Sequence, residues 1–252
     1  MLTRKTIRRV LPFDVRQSVY NRIYYIPLAI IRLWGWHERE CCICAYRGKF
    51  RAYGFPPAYD ARCPSCNCLE RHRLLKLWFD QHYERTIPLD LLHFAPEPCL
   101  RSFLRPFARK YVTADIEPGK ADVAINIEQM DISSGTFDMI ICSHVLEHVA
   151  QDRKALSELH RILKPGAKGI LMVPIILSID EIDEEFGSVD QAERWRRFGQ
   201  FDHVRLYSKR GFLERVREAG FKVHELGREF FREDLFSRAG ISNHSVLYIV
   251  QK

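Results

Sequence analysis

From residue 89 onward, short apolar runs alternate with stretches whose apolar side chains recur at helical spacing. LDLLHF (89–94), YVTAD (111–115), ADVAIN (121–126), TFDMIICS (136–143) and KGILMVPI (168–175) read as strands. FKVHEL (221–226) and SVLYIVQK (245–252) read as the last two. Between them, residues 98–110, 152–163 and 208–220 read as helices. In 152–163, Ala155, Leu156, Leu159, Ile162 and Leu163 share one face, and KPG stops the helix. Ser208 opens the late helix and Gly220 closes it. Upstream, Leu74, Leu75, Trp78 and Phe79 predict a linking helix over 69–85. The alternation predicts an α/β fold, with a mostly parallel sheet and helices on both faces. The last two strands have no predicted helix between them, so they are expected to pair antiparallel at an edge. Residues 175–207 read as a long irregular insertion, a kind of loop that usually carries function.

Composition changes this picture in one place. The formal net charge of +7 is concentrated: residues 1–36 hold Arg4, Lys5, Arg8, Arg9, Arg16, Arg22 and Arg32 against Asp14. The remaining chain is nearly balanced. Such an arm suits an acidic surface, whether nucleic acid, anionic lipid or a partner protein. The best apolar run, residues 23–36, contains Pro27 and Arg32 and falls short of the roughly 18–20 residues of a membrane span. It also lacks a small-residue cleavage site. The expected location is cytoplasmic, with the arm offering a peripheral membrane contact.

Eight cysteines add a second element, and six of them fall within residues 41–68. Cys41-x2-Cys44 and Cys63-x2-Cys66 are two knuckles, each able to offer two thiolates to one ion. Four sulfurs at tetrahedral corners suit zinc, and a full sulfur shell leaves no position for water, so the site reads as structural. Cys42 and Cys68 adjoin the ligands and blur the register. The expected organisation is a basic arm (1–36), a small zinc-ribbon-like module (37–68) and a larger domain (69–252) whose core spans 89–252.

The segments ADIEPG, GTFDMIICSHVLEHVAQD and ALSELHRILKPGAKGILMVPI resemble class I S-adenosylmethionine-dependent methyltransferases. The likeness is to the small "type 11" domains grouped with ubiquinone and menaquinone biosynthesis, and it covers roughly residues 89–252. The cysteine pairs with LERHR, HFAPE and GQFDHVRLY look like a zinc-bearing bacterial branch. The resemblance implies a Rossmann-like seven-stranded sheet with one reversed strand. It also implies S-adenosylmethionine as cofactor, bound beyond the carboxyl ends of the strands.

Four strand ends are then expected at the cofactor. The family's glycine-rich loop is replaced by HFAPEPC: His93 takes the acidic slot, while Ala95, Glu97 and Cys99 stand where glycines usually do. Pro96 and Pro98 restrict the backbone instead, and Glu97 at a helix start is placed to pair with the cofactor ammonium. Asp115 ends the next strand and is expected to accept both ribose hydroxyls, beside Ile116. Asn126 falls where an aspartate usually meets the adenine amine, and Ile127 flanks the ring. Ser143 and His144 end the central strand under the methyl group.

Methyl transfer needs alignment, exclusion of water and often a base. His203, in FGQFDHVRLYS, and His148 are the candidate catalytic residues, with Asp202, Arg205 and Tyr207 near His203. The expected acceptor is a small molecule or saccharide. Two other readings use different residues. Arg62, Arg71, His72 and Arg73 could grip RNA or DNA phosphates beside the zinc module. Alternatively, the missing glycines could mark an inactive zinc-containing scaffold.

Overall fold

The computed structural model describes residues 37–54, 58–187 and 190–252. The basic arm, residues 1–36, lies outside the described residues. The chain divides into two compact units. Among the described residues, 37–82 and 227–246 form one, and 83–226 and 247–252 form the other.

The second unit is built on a seven-stranded sheet. Its strands are β5 (Leu89–Phe94), β6 (Ala108–Asp115), β7 (Val123–Ala124), β8 (Phe137–Ser143), β9 (Leu163–Met172), β12 (Lys222–Leu226) and β13 (Leu247–Gln251), in the order β12-β13-β9-β8-β5-β6-β7. β9, β8, β5, β6 and β7 run parallel. β13 pairs antiparallel with both β9 and β12 and is the single reversed strand. This is the Rossmann-like arrangement expected, including the paired C-terminal strands. The chain leaves β5 toward β6 and β7, then returns to β8 on the opposite side. That places the topological switch between β5 and β8.

The core lies on the central strands. Leu91, Leu92, Ile140, Ile141, Cys142, Ile170 and Leu171 are all fully buried. These apolar runs are continuous because strands in the middle of a parallel sheet are covered on both faces. Gly169 is required by close approach: a Cβ there would meet Ile140 Cγ1 at 2.6 Å. The helices are α2 (Pro98–Leu104), α3 (Asp152–Ile162), α4 (Gln191–Phe198) and α5 (Lys209–Glu218). α2 is shorter than expected because Pro106 lacks the N–H needed to continue it, and β6 begins already at Ala108.

Residues 175–207 are not irregular throughout. They hold α4, capped by Asp190 Oδ1 accepting the Glu193 N–H at 2.7 Å and closed by Gly199 at φ 81°. They also hold an antiparallel pair, β10 (Asp183–Glu184) with β11 (Arg205–Leu206).

The first unit carries two short hairpins, β1 (Glu38–Glu40) with β2 (Arg47–Lys49) and β3 (Arg51–Tyr53) with β4 (Ala58–Arg62). Helix α1 (Glu70–His82) follows. The excursion between β12 and β13 also belongs to this unit and contains a short helix, α6 (Glu233–Arg238), where no helix was expected. It is bound to α1: the His82 ring stacks on Trp78 at 5.1 Å and on Phe230 at 5.6 Å, and Glu70 accepts from Ser245 Oγ at 2.8 Å. Among the described residues, no helix is long and apolar enough to cross a membrane.

Candidate functional site

The two cysteine knuckles use one turn. The Ala45 N–H donates to the Cys41 carbonyl at 2.8 Å, and the Asn67 N–H donates to the Cys63 carbonyl at 3.0 Å. Ala45 and Asn67 both sit at φ 59°. A left-handed residue after each second cysteine turns the chain so that both thiols of a pair face one point. The Sγ atoms of Cys41, Cys44, Cys63 and Cys66 all lie within 4.8 Å of one another. Cys41–Cys66 and Cys44–Cys63 are 3.7 and 3.6 Å apart. A tetrahedron with bonds of about 2.3 Å has edges of about 3.8 Å, so this donor set fits zinc. Cys42 turns away toward the Arg73 carbonyl. Cys68 closes the second knuckle through its own carbonyl, and its Sγ lies 3.4 Å from Cys41 Sγ.

Arg73 is buried under that knuckle. It donates to the carbonyls of Cys68 at 3.1 Å, Ala61 at 3.0 Å and Gly240 at 3.0 Å, and lies over the Phe50 ring. His72 is buried too, its Nδ1 accepting the Leu69 N–H at 3.1 Å. Neither can reach a phosphate, which corrects their assignment to a nucleic-acid grip.

In the sheet unit, a cavity of about 650 Å³ opens at the carboxyl ends of β5, β6, β7 and β8. That volume is of the size a small organic cofactor needs. Phe94 and Ala95 come from the end of β5, Ala114 to Glu117 from the end of β6, and Ile125 to Glu128 from beyond β7. His144, Val145 and His148 come from beyond β8, and Asp202 closes the far side.

The glycine-free loop keeps a glycine-like backbone. Ala95 has φ 44°, and its N–H donates to the Ala114 carbonyl at 2.8 Å. A left-handed alanine costs roughly 1 kcal/mol against glycine. Ala95→Gly is therefore expected to raise stability by about 1 kcal/mol, and Ala95→Val to lower it by about 2 kcal/mol or more. Thermal unfolding of the two variants checks both signs.

Asp115 is half-buried at the rim, and its Oδ1 accepts the Glu117 N–H at 2.9 Å. Ile116 is 71% exposed there, while Ile127 is buried in the wall. Asn126 Oδ1 accepts the Glu128 N–H at 2.9 Å, which spends one of its two lone pairs. A carboxylate between two apolar side chains suits a nucleoside, with hydroxyls for the acid and a ring for the isoleucines.

Four expected residues do not line this cavity. His93 lies in central β5, wholly buried, with Nδ1 2.9 Å from the Tyr111 hydroxyl and Nε2 2.9 Å from Glu97 Oε2. Glu97 is thereby held against the sheet instead of projecting toward a ligand. Ser143 is the last residue of β8 and its hydroxyl is buried. His203 is drawn inward because Val204 beside it is buried and its N–H donates to the Glu147 carbonyl at 2.9 Å.

His203 packs edge-on behind His148, with ring centroids 4.7 Å apart. His144 and His148 do not share a helical face. His144 sits at φ 58°, and only Leu146–His148 form a turn, of the 3-10 type. Burial dominates at His203 and lowers its pKa to about 4, so the imidazole is neutral at pH 7. Burial also opposes protonation of His148, but the contact with Asp202 at 3.3 Å and the Glu147 charge raise its pKa overall. Burial works to raise the pKa of Glu147, yet His144, 3.1 Å away, and the neighbouring imidazoles hold it below the ordinary value.

Arg205 and Tyr207, expected near the substrate, pin the loop behind the cavity. Arg205 Nη1 donates to the Leu146 carbonyl at 2.6 Å and Nη2 to the Ala150 carbonyl at 2.9 Å. The Tyr207 hydroxyl meets Asp152 Oδ2 at 2.5 Å. Lining residues that sequence reasoning passed over include Glu117, Lys120 and Glu128. Their only local signal was position just past a strand end.

A stretch of 114 residues is 29% identical to an uncharacterized protein from Methanocaldococcus jannaschii, covering 45% of this chain and 43% of that one. The match thus spans less than half of that relative's length. The fold is similar to that of an S-adenosylmethionine-dependent methyltransferase from Mesorhizobium loti, at 11% identity and TM-score 0.49, over 69% of this chain and 96% of that one. It is also similar to 1,6-didemethyltoxoflavin-N1-methyltransferase from Burkholderia thailandensis, solved with 1,6-didemethyltoxoflavin and S-adenosylhomocysteine. There the identity is 16% and the TM-score 0.47, over 72% of this chain and 78% of that one. The family profile described as "Methyltransferase domain" matches residues 48–226, from the first hairpin through the end of β12, and the chain belongs to that family.

Proposed function

We propose that this methyltransferase uses S-adenosylmethionine and acts on a small-molecule or saccharide-type acceptor, with a structural zinc ion held by Cys41, Cys44, Cys63 and Cys66. The observation that carries the reading is the cavity rim. Asp115, Glu117, Glu128 and Asp202 surround it against one Lys120. An acidic rim draws in a cationic sulfonium cofactor and repels a polyphosphate chain. The burial of His72 and Arg73 speaks against nucleic acid in the same direction.

When bound, the cofactor supplies an electrophilic methyl group. Asp115 accepts the ribose hydroxyls, Asn126 turns its remaining lone pair to the adenine amine, and Ile116 and Ile127 flank the ring. The left-handed Ala95 brings the backbone close to the amino-acid end. Glu97 acts indirectly, through its pair with His93, to hold that loop. His144 and His148 face the methyl end, His148 oriented by Asp202 and backed by His203. The basic arm serves as a contact for an acidic surface.

Calorimetric titration of S-adenosylhomocysteine tests this reading. A single hydrogen bond to a carboxylate is worth about 1.5–3 kcal/mol, so Asp115→Ala is expected to weaken binding by at least roughly 10- to 100-fold. Glu97→Gln is expected to stay within about threefold of wild type. No saturable binding by folded protein would sink the cofactor assignment, and salt-sensitive RNA co-purification would overturn the acceptor class.

A further inference from the structure

The geometry points to a second metal site, formed by Glu147, His148 and His203, that takes a divalent first-row cation at the wall of the cavity. Their ligand atoms all lie within 4.8 Å of one another. The inference rests on the methyltransferase reading for its use, but not for its existence.

Three observations carry it. The first is unmet bonding capacity. Glu147 is 1% exposed and His203 is 8% exposed. Nδ1 of His203 and Oε2 of Glu147 are buried without a hydrogen-bond partner among the described residues, and Oε1 of Glu147 has only the ion-pair contact with His144 at 3.1 Å. A buried polar atom left unsatisfied costs about 1–3 kcal/mol, and more when charged. A cation would satisfy all of these atoms at once.

The second is preorganisation. The Val204 N–H to the Glu147 carbonyl, at 2.9 Å, joins the two segments that bring the donors. Arg205 caps the Leu146 and Ala150 carbonyls on either side of Glu147 and His148. Asp202 contacts Nδ1 of His148 at 3.3 Å, as an outer carboxylate that orients a ligating imidazole commonly does.

The third is the donor set and its place. Two imidazoles and one carboxylate suit zinc, cobalt, iron or manganese better than magnesium or calcium. Three protein ligands leave coordination positions open, unlike the closed cysteine site. His148 is itself part of the cavity wall, so those positions adjoin the expected acceptor. The ligand class that follows is an acceptor hydroxyl. Its proton passes to water and its oxygen forms the new bond to the methyl carbon. The carbon–sulfur bond breaks, and its electron pair stays on sulfur as the neutral thioether.

The test is titration of Co²⁺ into tag-free, zinc-loaded protein, read by visible absorption. Nitrogen and oxygen ligation gives ligand-field bands without the intense sulfur-to-metal band that cysteine exchange would produce. The expected result is saturable ligand-field absorption at one Co²⁺ per chain. It should weaken at least about tenfold in both His203→Ala and Glu147→Gln. S-adenosylhomocysteine titration of the same samples reports whether each variant keeps its fold and cofactor site.

Sulfur bands alone, no ligand-field spectrum in wild type, or a spectrum unchanged in both variants would overturn the site. Cobalt binding without S-adenosylhomocysteine binding would keep the metal site and defeat the cofactor reading. The reverse would keep the cofactor and remove the metal.

Discussion

Stripping metal from the cysteine knuckles is expected to unfold the unit that contains them. With a strong chelator, amide hydrogens in β1 to β4, α1 and residues 227–246 should lose protection by several orders of magnitude. Those of β5, β8 and β9 should stay protected, because their fully buried side chains belong to the other compact unit. The argument is one of scale. Structural zinc in small domains is worth about 10–16 kcal/mol of apparent binding energy at neutral pH. The described part of that unit, four short strands and two helices, buries too little apolar surface to replace that. The polar ties around the knuckles depend on the same geometry. Arg73 reaches the Cys68, Ala61 and Gly240 carbonyls only while the second knuckle holds its turn. Cys66→Ser should reproduce the loss without chelator. Cys42→Ser should be nearly silent, because Cys42 stands outside the four-sulfur set. Hydrogen exchange read by mass spectrometry separates these results. Protection retained in the chelated protein would mean that apolar packing alone holds the unit.

The parts of this molecule legible in the sequence are those whose physics is local. A parallel strand buried on both faces must be an apolar run, so β5, β8 and β9 announce themselves, and Asp115 is found by standing where such a run ends. The knuckles are legible because metal ligation fixes a short spacing. Ala95 shows where legibility fails. A glycine there would have declared its left-handed backbone, whereas alanine carries the same φ without any sign of it. The excursion 227–246 was unreadable for a different reason. Its Phe230 finds its partner on α1, more than a hundred residues away, and no periodicity within it records that contact. The capping pattern at Asp190 and Glu193 was present in DQAE, so α4 could have been read from the chain. His203 and Arg205 were read as polar groups facing a substrate. Whether a polar residue in a loop faces solvent or turns inward to satisfy a distant carbonyl is a tertiary fact.

Arg205 carries the largest consequence of that kind. Its side chain is fully buried, and its guanidinium caps the carbonyls of Leu146, Val149 and Ala150 while pairing with Glu184 at 3.2 Å. Arg215 completes the cluster, reaching Asp152 at 2.6 Å and Glu184 at 2.8 Å. Removing one member of such a buried set leaves the others charged or unpaired, at a cost of about 3–5 kcal/mol. In a chain of this size, Arg205→Met is therefore expected to lower the melting temperature by about 10 °C. Arg205→Lys should recover only part of the loss, since an ammonium cannot present the flat fork that meets several carbonyls at once. The effect should also reach the cavity. His148, Val149 and Ala150 line it, and they belong to the loop that Arg205 holds. S-adenosylhomocysteine affinity should accordingly fall in Arg205→Met even below its melting range. A drop in melting temperature with unchanged affinity would show that the loop keeps its shape without its cap. An unchanged melting temperature would show that water takes over the three carbonyls, and that the buried guanidinium is not what holds that loop in place.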